Sequence, residues 1–404
     1  MKTWKNHFTI YLLILLLLLS PVLADASAEA SVAIAEIIIT GNTRTHTGVI
    51  IRQLPFKKGD MWREGYRDLV LKRLQAMNMF DPTETRVTME IIEPGKGRVI
   101  IRVCDGVLLY LEPLEFVALS LQDLLSSQYN LTLYNPLGNG LSFSAGFNWN
   151  GRPAYKLAAH LAGGKGWILG GFWSQFDSIR QFYPSGKESP QYTAAGTSIQ
   201  LTATRYATER FNYGISMFYN PVMYSQNPGE TQTQNYLSVV PRINWEYWAE
   251  YELACRWGTD LTGNSPSANA GVLKAKKEWP IGKNNLVFAL STGYMSPGAP
   301  LNQQFVIGGF GSVPLRGHKA AYIGDSFLTG SFEYRYRLNP AFWLIGFVDT
   351  GRMSAGNAQY PWITDIGAGL AINTPLGYPF RIDIAQGMTD SRGIRYNFGF
   401  DLDF

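Results

Sequence analysis

The sequence predicts a mainly β chain: a transmembrane antiparallel β-barrel of about sixteen strands over residues 129–404, preceded by one small α+β domain over residues 33–107. Three observations point there. From Tyr129 onward, runs of roughly ten residues alternate apolar and polar side chains and are separated by turn clusters, the pattern of barrel strands. Several runs carry aromatics near their ends, as in Trp167 to Phe176, Tyr236 to Trp248 and Phe342 to Phe347, where girdles at two lipid interfaces would stand. The third observation is an export signal with no later apolar stretch long enough for a spanning helix, so any membrane entry has to be by strands.

The export signal is residues 1–24. Lys2 and Lys5 precede the apolar run Ile10 to Leu19, and Val22-Leu23-Ala24 places modest side chains before a cut after Ala24. That run is about half the ~20 residues a spanning helix needs.

Residues 33–107 change pattern type over a short span. Ala35 to Ile39 is a β-rich run stopped by Gly41-Asn42. Thr45 or Thr47 is expected to cap a short helix with Val49, Ile50 and Leu54 on its apolar face, ended by Pro55. Gly59-Asp60 is expected to open a second helix in which Tyr66, Leu69, Val70, Leu74 and Met77 recur at helical spacing. Two strands follow, Thr85 to Ile92 and Arg98 to Cys104, joined at Glu93 to Gly97. The order β-α-α-β-β suffices for one small core. Residues 108–128 read as a linker that packs against the next domain, with room for an amphipathic helix from Phe116 to Leu125.

The barrel pattern is clearest at its end. Ile394, Tyr396, Phe398, Phe400, Leu402 and Phe404 share one face, and Arg395, Asn397, Asp401 and Asp403 the other, with Gly399 among them. The same split sets Phe380, Ile382 and Ile384 against Arg381 and Asp383, and Ile366, Ala368, Leu370 and Ile372 against Gly367, Gly369 and Asn373. About fifteen candidate strands can be traced, and the even-number rule for bacterial barrels raises the expectation to sixteen. Closing the sheet would pair every edge, as hydrocarbon requires. Outer loops are expected at 182–193 and 220–235.

Composition removes several functions. Lys and Arg total 35 against 31 Asp and Glu, a net charge of +4 that is scattered, unlike the basic stripe of a nucleic-acid binder. There is no CxxC, HExxH or histidine-rich cluster, so neither a metal nor another cofactor is expected. Cys104 and Cys255 lie far apart, leaving free thiols or a pairing open. His46, His160 and His318 are the mature histidines, and GxSxG is absent, so no enzyme is expected; a Ser–His pair through His160 is the one hydrolytic alternative.

One charge stands out. The Gly-rich stretch Phe305 to His318, FVIGGFGSVPLRGH, ends in Leu315-Arg316-Gly317. On the next strand Thr329, Ser331, Glu333, Arg335 and Arg337 share a face opposite Leu328, Phe332, Tyr334 and Tyr336, so Glu333 points into the barrel. Phe347 and Asp349 share a side of the strand after that. A guanidinium fork can serve two carboxylates, which makes Arg316 the natural partner of Glu333 and Asp349.

These residues are similar to the BamA/TamA outer-membrane family. The resemblance rests on Gly308-Gly309, Leu315-Arg316-Gly317, Glu333, Phe347-x-Asp349-x-Gly351 and the Thr374 to Gly377 turn. Ahead of them, Ile39-Thr40-Gly41-Asn42, Gly59-Asp60 and Asn78-Met79-Phe80 resemble a POTRA domain, the periplasmic module of that family. The chain departs from the pattern at His318, where the family has Phe or Tyr, at Leu315, and in having one POTRA. His318 reads as a packed polar residue.

The resemblance implies an outer-membrane location with the POTRA domain in the periplasm. It implies insertion of proteins into that membrane or their translocation across it, without a cofactor. The partners implied are outer-membrane lipid, an unfolded client or secreted protein received at the POTRA sheet edge, and periplasmic accessory proteins, with no nucleic acid. It further implies a loop pinned by Arg316, Gly317, Glu333 and Asp349, and a barrel seam between the first and last strands, weak at Gly399 and at Asn130 to Asn135. Terminal Phe404 looks like an insertion signal. A passive channel, a structural barrel or a lipid-handling barrel are the alternatives, and the POTRA domain could instead only space or plug the barrel.

Overall fold

The computed structural model describes residues 32–82, 84–106, 128–148, 154–181, 191–225, 231–263, 265–300, 303–308, 315–318, 322–356, 358–373, 379–388 and 394–400. The expected export signal at residues 1–24, residues 107–127 with the expected Phe116 to Leu125 helix, the expected turn Thr374 to Gly377 and Phe404 lie outside the described residues.

The amino-terminal unit runs β1 (Ala33–Thr40), α1 (Thr47–Ile51), α2 (Gly65–Ala76), β2 (Arg86–Glu93), β3 (Lys96–Arg102). Its sheet order is β1-β3-β2, with β3 parallel to β1 and antiparallel to β2. Central β3 alternates as its pattern requires, burying Val99 and Ile101 against Ile34, Ile50, Val70 and Leu74 from the strand and helices around it. Gly41 has φ +84, and a Cβ there would stand 1.9 Å from the Val103 carbonyl oxygen, so the turn after β1 takes only glycine. Asn78 ends α2 in the left-handed region at φ 50 and turns Met79 and Phe80 into the core.

Three local expectations fail. The N-cap of α1 is His46, without a side-chain hydrogen bond. Thr45 does not cap because Asp105, distant in sequence, accepts from its hydroxyl and also from its backbone N–H at 3.0 Å; Thr47 is the first helical residue rather than the cap. The helix α1 stops at Ile51, ahead of Pro55. Gly59-Asp60 does not open α2 either. The Gly59 N–H donates to the Ile34 carbonyl at 2.8 Å and the Asp60 carboxylate accepts from the Lys57 N–H at 2.9 Å, so the pair builds a turn that fastens the loop to β1.

The large sheet begins with β4 (Gln128–Leu133), β5 (Leu141–Asn148), β6 (Ala154–Ala162), β7 (Trp167–Gln181) and β8 (Gln191–Tyr206). It continues through β9 (Phe211–Ser225), β10 (Thr231–Glu246), β11 (Glu250–Asp260), β12 (Ala270–Ile281) and β13 (Asn284–Met295). After a ribbon of β14 (Phe305–Ile307) and β15 (Tyr322–Gly324) come β16 (Ser326–Arg337), β17 (Phe342–Ala355), β18 (Ala358–Gln359), β19 (Ile363–Asn373), β20 (Pro379–Gly387) and β21 (Ile394–Phe400). The order is β4 to β13, then β16, β17, β19, β20 and β21, every neighbour antiparallel. Fifteen strands, rather than the sixteen expected, therefore follow one another among the described residues. The extra β18 pairs only with Ser354 and Ala355 at the end of β17, too short to form another rung. No pairing of β4 with β21 is recorded among the described residues. Of the expected loop at 220–235, residues 220–225 belong to β9 and 231–235 to β10, and 226–230 lie outside the described residues.

Burial along these strands is inverted relative to a water-soluble sheet. On β16, Leu328, Phe332, Tyr334 and Tyr336 are exposed, while Thr329, Ser331 and Glu333 are buried. On β20, Ile382 and Ile384 are exposed and Arg381 and Asp383 buried. An apolar outer face and a charged inner face are what a barrel wall in lipid requires.

The amino-terminal unit sits on the end of the sheet where the turns are short. The His46 N–H donates to the Gly138 carbonyl at 2.9 Å, and the Asn135 amide to the Thr45 hydroxyl at 2.7 Å. Gln53 accepts from the Gly166 N–H at 3.1 Å and donates to the Gly163 carbonyl, while the Lys165 N–H reaches the Arg52 carbonyl at 2.6 Å. Buried Arg73, on α2, donates to the Tyr206 carbonyl at 2.8 and 3.0 Å and to the Gln53 carbonyl at 2.7 Å. Burial, then the neighbouring Arg205 charge, lowers its pKa.

Candidate functional site

Between β13 and β16, the described residues Leu315 to His318 lie against the inner, polar face of the sheet. Leu315, 1% exposed, packs with Ile307, Tyr322, Phe327, Met353, Tyr360 and Ile363, an apolar cluster shared between loop and wall. Below that cluster the loop meets charge.

Strand register explains why. It lines up Ser331, Asp349, Asp365 and Gly387 in one row across β16, β17, β19 and β20. The next row holds Glu333, Phe347, Gly367, Ala385 and Arg395, and the one after it Arg335, Ile345, Gly369, Asp383 and Asn397. Asp349 directly opposes Asp365, a like-charge cross-strand pair that destabilises a sheet unless it is compensated.

The loop tip supplies the compensation. The Arg316 guanidinium donates to Asp349 through Nε at 2.6 Å and Nη2 at 2.5 Å, to Glu333 through Nη1 at 2.6 Å, and to the Ser331 hydroxyl at 3.0 Å. Asp383 lies 3.4 Å from Nη1. The guanidinium plane stacks on Phe347, with Cζ 3.4 Å from the ring centroid. Asp365 is held separately, by the Gly317 N–H at 2.6 Å and by His318 Nδ1. Arg381 bridges Glu333 at 2.9 Å and Asp383 at 2.9 Å, and Arg335 reaches Glu333 at 3.0 Å. With Arg395, four guanidinium groups thus stand among four carboxylates, all but Arg335 buried. Burying charge is tolerable only in such paired, hydrogen-bonded form.

Glycines make the fit possible. A Cβ on Gly317 would stand 2.6 Å from the Gln386 carbonyl carbon and 2.7 Å from the Gly387 nitrogen. One on Gly367 would strike the Phe347 ring at 2.3 Å, one on Gly369 the Asp383 carboxylate at 2.0 Å, and one on Gly387 the His318 ring at 2.7 Å. The glycines that the alternation pattern of β19 showed on its inner face are therefore the floor on which Phe347 and Asp383 lie.

The structure brings Arg316, Gly317, Glu333 and Asp349 together. Gly399 lies elsewhere, in β21 opposite Arg381, and Phe404 is outside the described residues. Sequence reasoning missed Ser331, Asp365, Arg381, Asp383, Arg395 and Asn397 as members. The available signal was their place on the polar faces of successive strands; which of those positions share a row depends on register. His318, where the resemblance departs, is a packed imidazole on Asp365, and its Nε2 meets no partner among the described residues. Cys104 and Cys255 are separate free thiols.

Residues 250–403 match the family model of the Omp85 superfamily domain. The fold is similar to BamA from Haemophilus ducreyi lacking POTRA domains 1-3, at 14% identity and a TM-score of 0.52, covering 93% of this chain and 84% of that one. It is similar to CdiB from Acinetobacter baumannii, at 14% identity and TM-score 0.60, covering 92% of this chain and 73% of the other. CdiB from Escherichia coli gives 10% identity and TM-score 0.56, with 94% and 90% covered. At such identities the likeness to these structures is one of fold. Residues 250–403, which carry the loop tip Leu315 to His318 and every strand that it touches, thus match the Omp85 superfamily domain model within a chain whose fold is similar to the BamA and CdiB barrels.

Proposed function

We propose that this chain is an outer-membrane β-barrel that inserts proteins into that membrane or passes them across it, with residues 33–107 as a single periplasmic POTRA domain. The observation that carries this reading is the seating of Arg316 and Gly317 on the inner wall of an Omp85 superfamily domain. A loop arginine seated among seven further buried or half-buried charges is more than a passive barrel wall needs.

The steps are physical rather than chemical. An extended client or secreted protein adds to the free edge of β2 through main-chain hydrogen bonds. The barrel closes through a seam between β4 and β21, and that seam, weak at Gly399 and at short β4, opens sideways or thins the bilayer beside it. Glu333, Asp349 and Arg316 seat the loop in the resting barrel and perform no catalysis. The reading needs no cofactor and no nucleotide.

Reconstitution tests it. Liposomes carrying the purified protein should speed the membrane insertion of a urea-unfolded barrel protein, or the uptake of an unfolded secreted protein, over empty liposomes. Solute conductance with neither activity would overturn the reading in favour of a channel.

A further inference from the structure

The loop tip is held from two sides. On one side Arg316 grips β16 and β17 through Ser331, Glu333 and Asp349. On the other, side chains of the terminal strand grip the loop's own backbone: Arg395 Nη1 donates to the His318 carbonyl at 2.6 Å, and the Asn397 amide to the Arg316 carbonyl at 3.1 Å. Both residues sit on β21, whose recorded strand partner among the described residues is β20 alone. Between the two sides, Gly317 presses against the β20 backbone at Gln386 and Gly387, and its N–H and His318 hold Asp365 of β19. One four-residue tip therefore touches five strands that follow one another in the sheet and end at its edge.

We propose that Arg395 and Asn397 are positioning residues through which the loop tip and β21 hold each other in place, so that β21 leaves the sheet edge only when the tip leaves its seat. Among the described residues β21 pairs with β20 alone, and the two donors it sends to the loop add a second hold on it, from inside the sheet. Coupling of this kind is reciprocal: loosening either partner loosens the other by the same factor. The functional consequence, release of a seam strand, rests on the reading above; the coupling itself does not.

Backbone hydrogen exchange of the full chain in lipid nanodiscs tests the coupling. In Asn397→Leu, which removes one donor, amides of the loop tip and of β21 should exchange about tenfold faster, the amount one hydrogen bond to a buried carbonyl typically contributes. Arg395→Gln should do the same, and Asn397→Leu, at a half-buried position, carries the test if that variant does not fold. The decisive variant is Asp349→Asn on β17: it weakens the grip on Arg316 far from β21, yet should speed β21 exchange while β8 and β9 stay unchanged. Unaltered β21 exchange in Asp349→Asn, or an unaltered loop tip in Asn397→Leu, would overturn the proposal. In the wild-type protein, β21 amides that stay fully protected while a client inserts would count against the seam alone, leaving the coupling intact.

Discussion

Arg316 serves two carboxylates and a hydroxyl from one guanidinium, a task that a single ammonium at the end of a lysine does not share. Arg316→Ala should therefore lower the unfolding free energy of the lipid-embedded barrel by about 3 kcal/mol, read by urea titration, since it strands buried carboxylates. Arg316→Lys should restore only part of that loss, and full restoration would show that charge alone matters. Gly317→Ala should cost about 1–3 kcal/mol, the usual penalty for overpacking, because its Cβ would meet backbone atoms of β20 that have nowhere to go. Equal stability of Gly317→Ala and wild type would place the tip further from β20 than 2.6–2.7 Å contacts allow. At this scale Arg316, Glu333 and Asp349 were legible, because period-two alternation alone puts both acids on inner faces after the Arg-Gly. Asp365 and Asn397 were not, because their membership follows from register, which is set by pairing between strands distant in sequence.

At the scale of elements, the joint between the amino-terminal unit and the barrel is built largely on backbone groups of the short turns. Gln53 bonds both sides of the turn between β6 and β7, and Arg73 bonds the Tyr206 carbonyl at the end of β8, so these two side chains help to set how the unit stands on the sheet. Gln53→Ala should make the Gly166 amide exchange about tenfold faster, because that N–H loses its acceptor. Arg73→Met should raise exchange in that turn and at the end of β8 and leave β16 and β17 untouched; spread to those strands would mean that the unit also steadies the loop seat. The alternating runs announced the strands of the large sheet, and helical spacing announced α2. Helix starts were misread because α1 is governed by Asp105, a residue brought in by the end of the unit's sheet, and because Gly59-Asp60 serves a turn bonded to β1. Local signals of capping lose when a distant carboxylate takes the hydroxyl first.

Over the whole molecule, a charged seat inside the region that matches the Omp85 superfamily domain, a small unit fixed at the short-turn end and a terminal strand bonded to the loop join the inner wall to the last strands. On the proposed reading, this arrangement hands a client from a sheet edge at one end to a seam in the wall without covalent chemistry. The most direct measurement is the outer-membrane proteome after depletion of this chain in its own cells. The account predicts selective loss of particular barrel proteins, or of one exported protein, restored by the wild-type chain and poorly by Arg316→Ala. An unchanged set of outer-membrane and exported proteins, with altered solute permeability or lipid asymmetry instead, would contradict it.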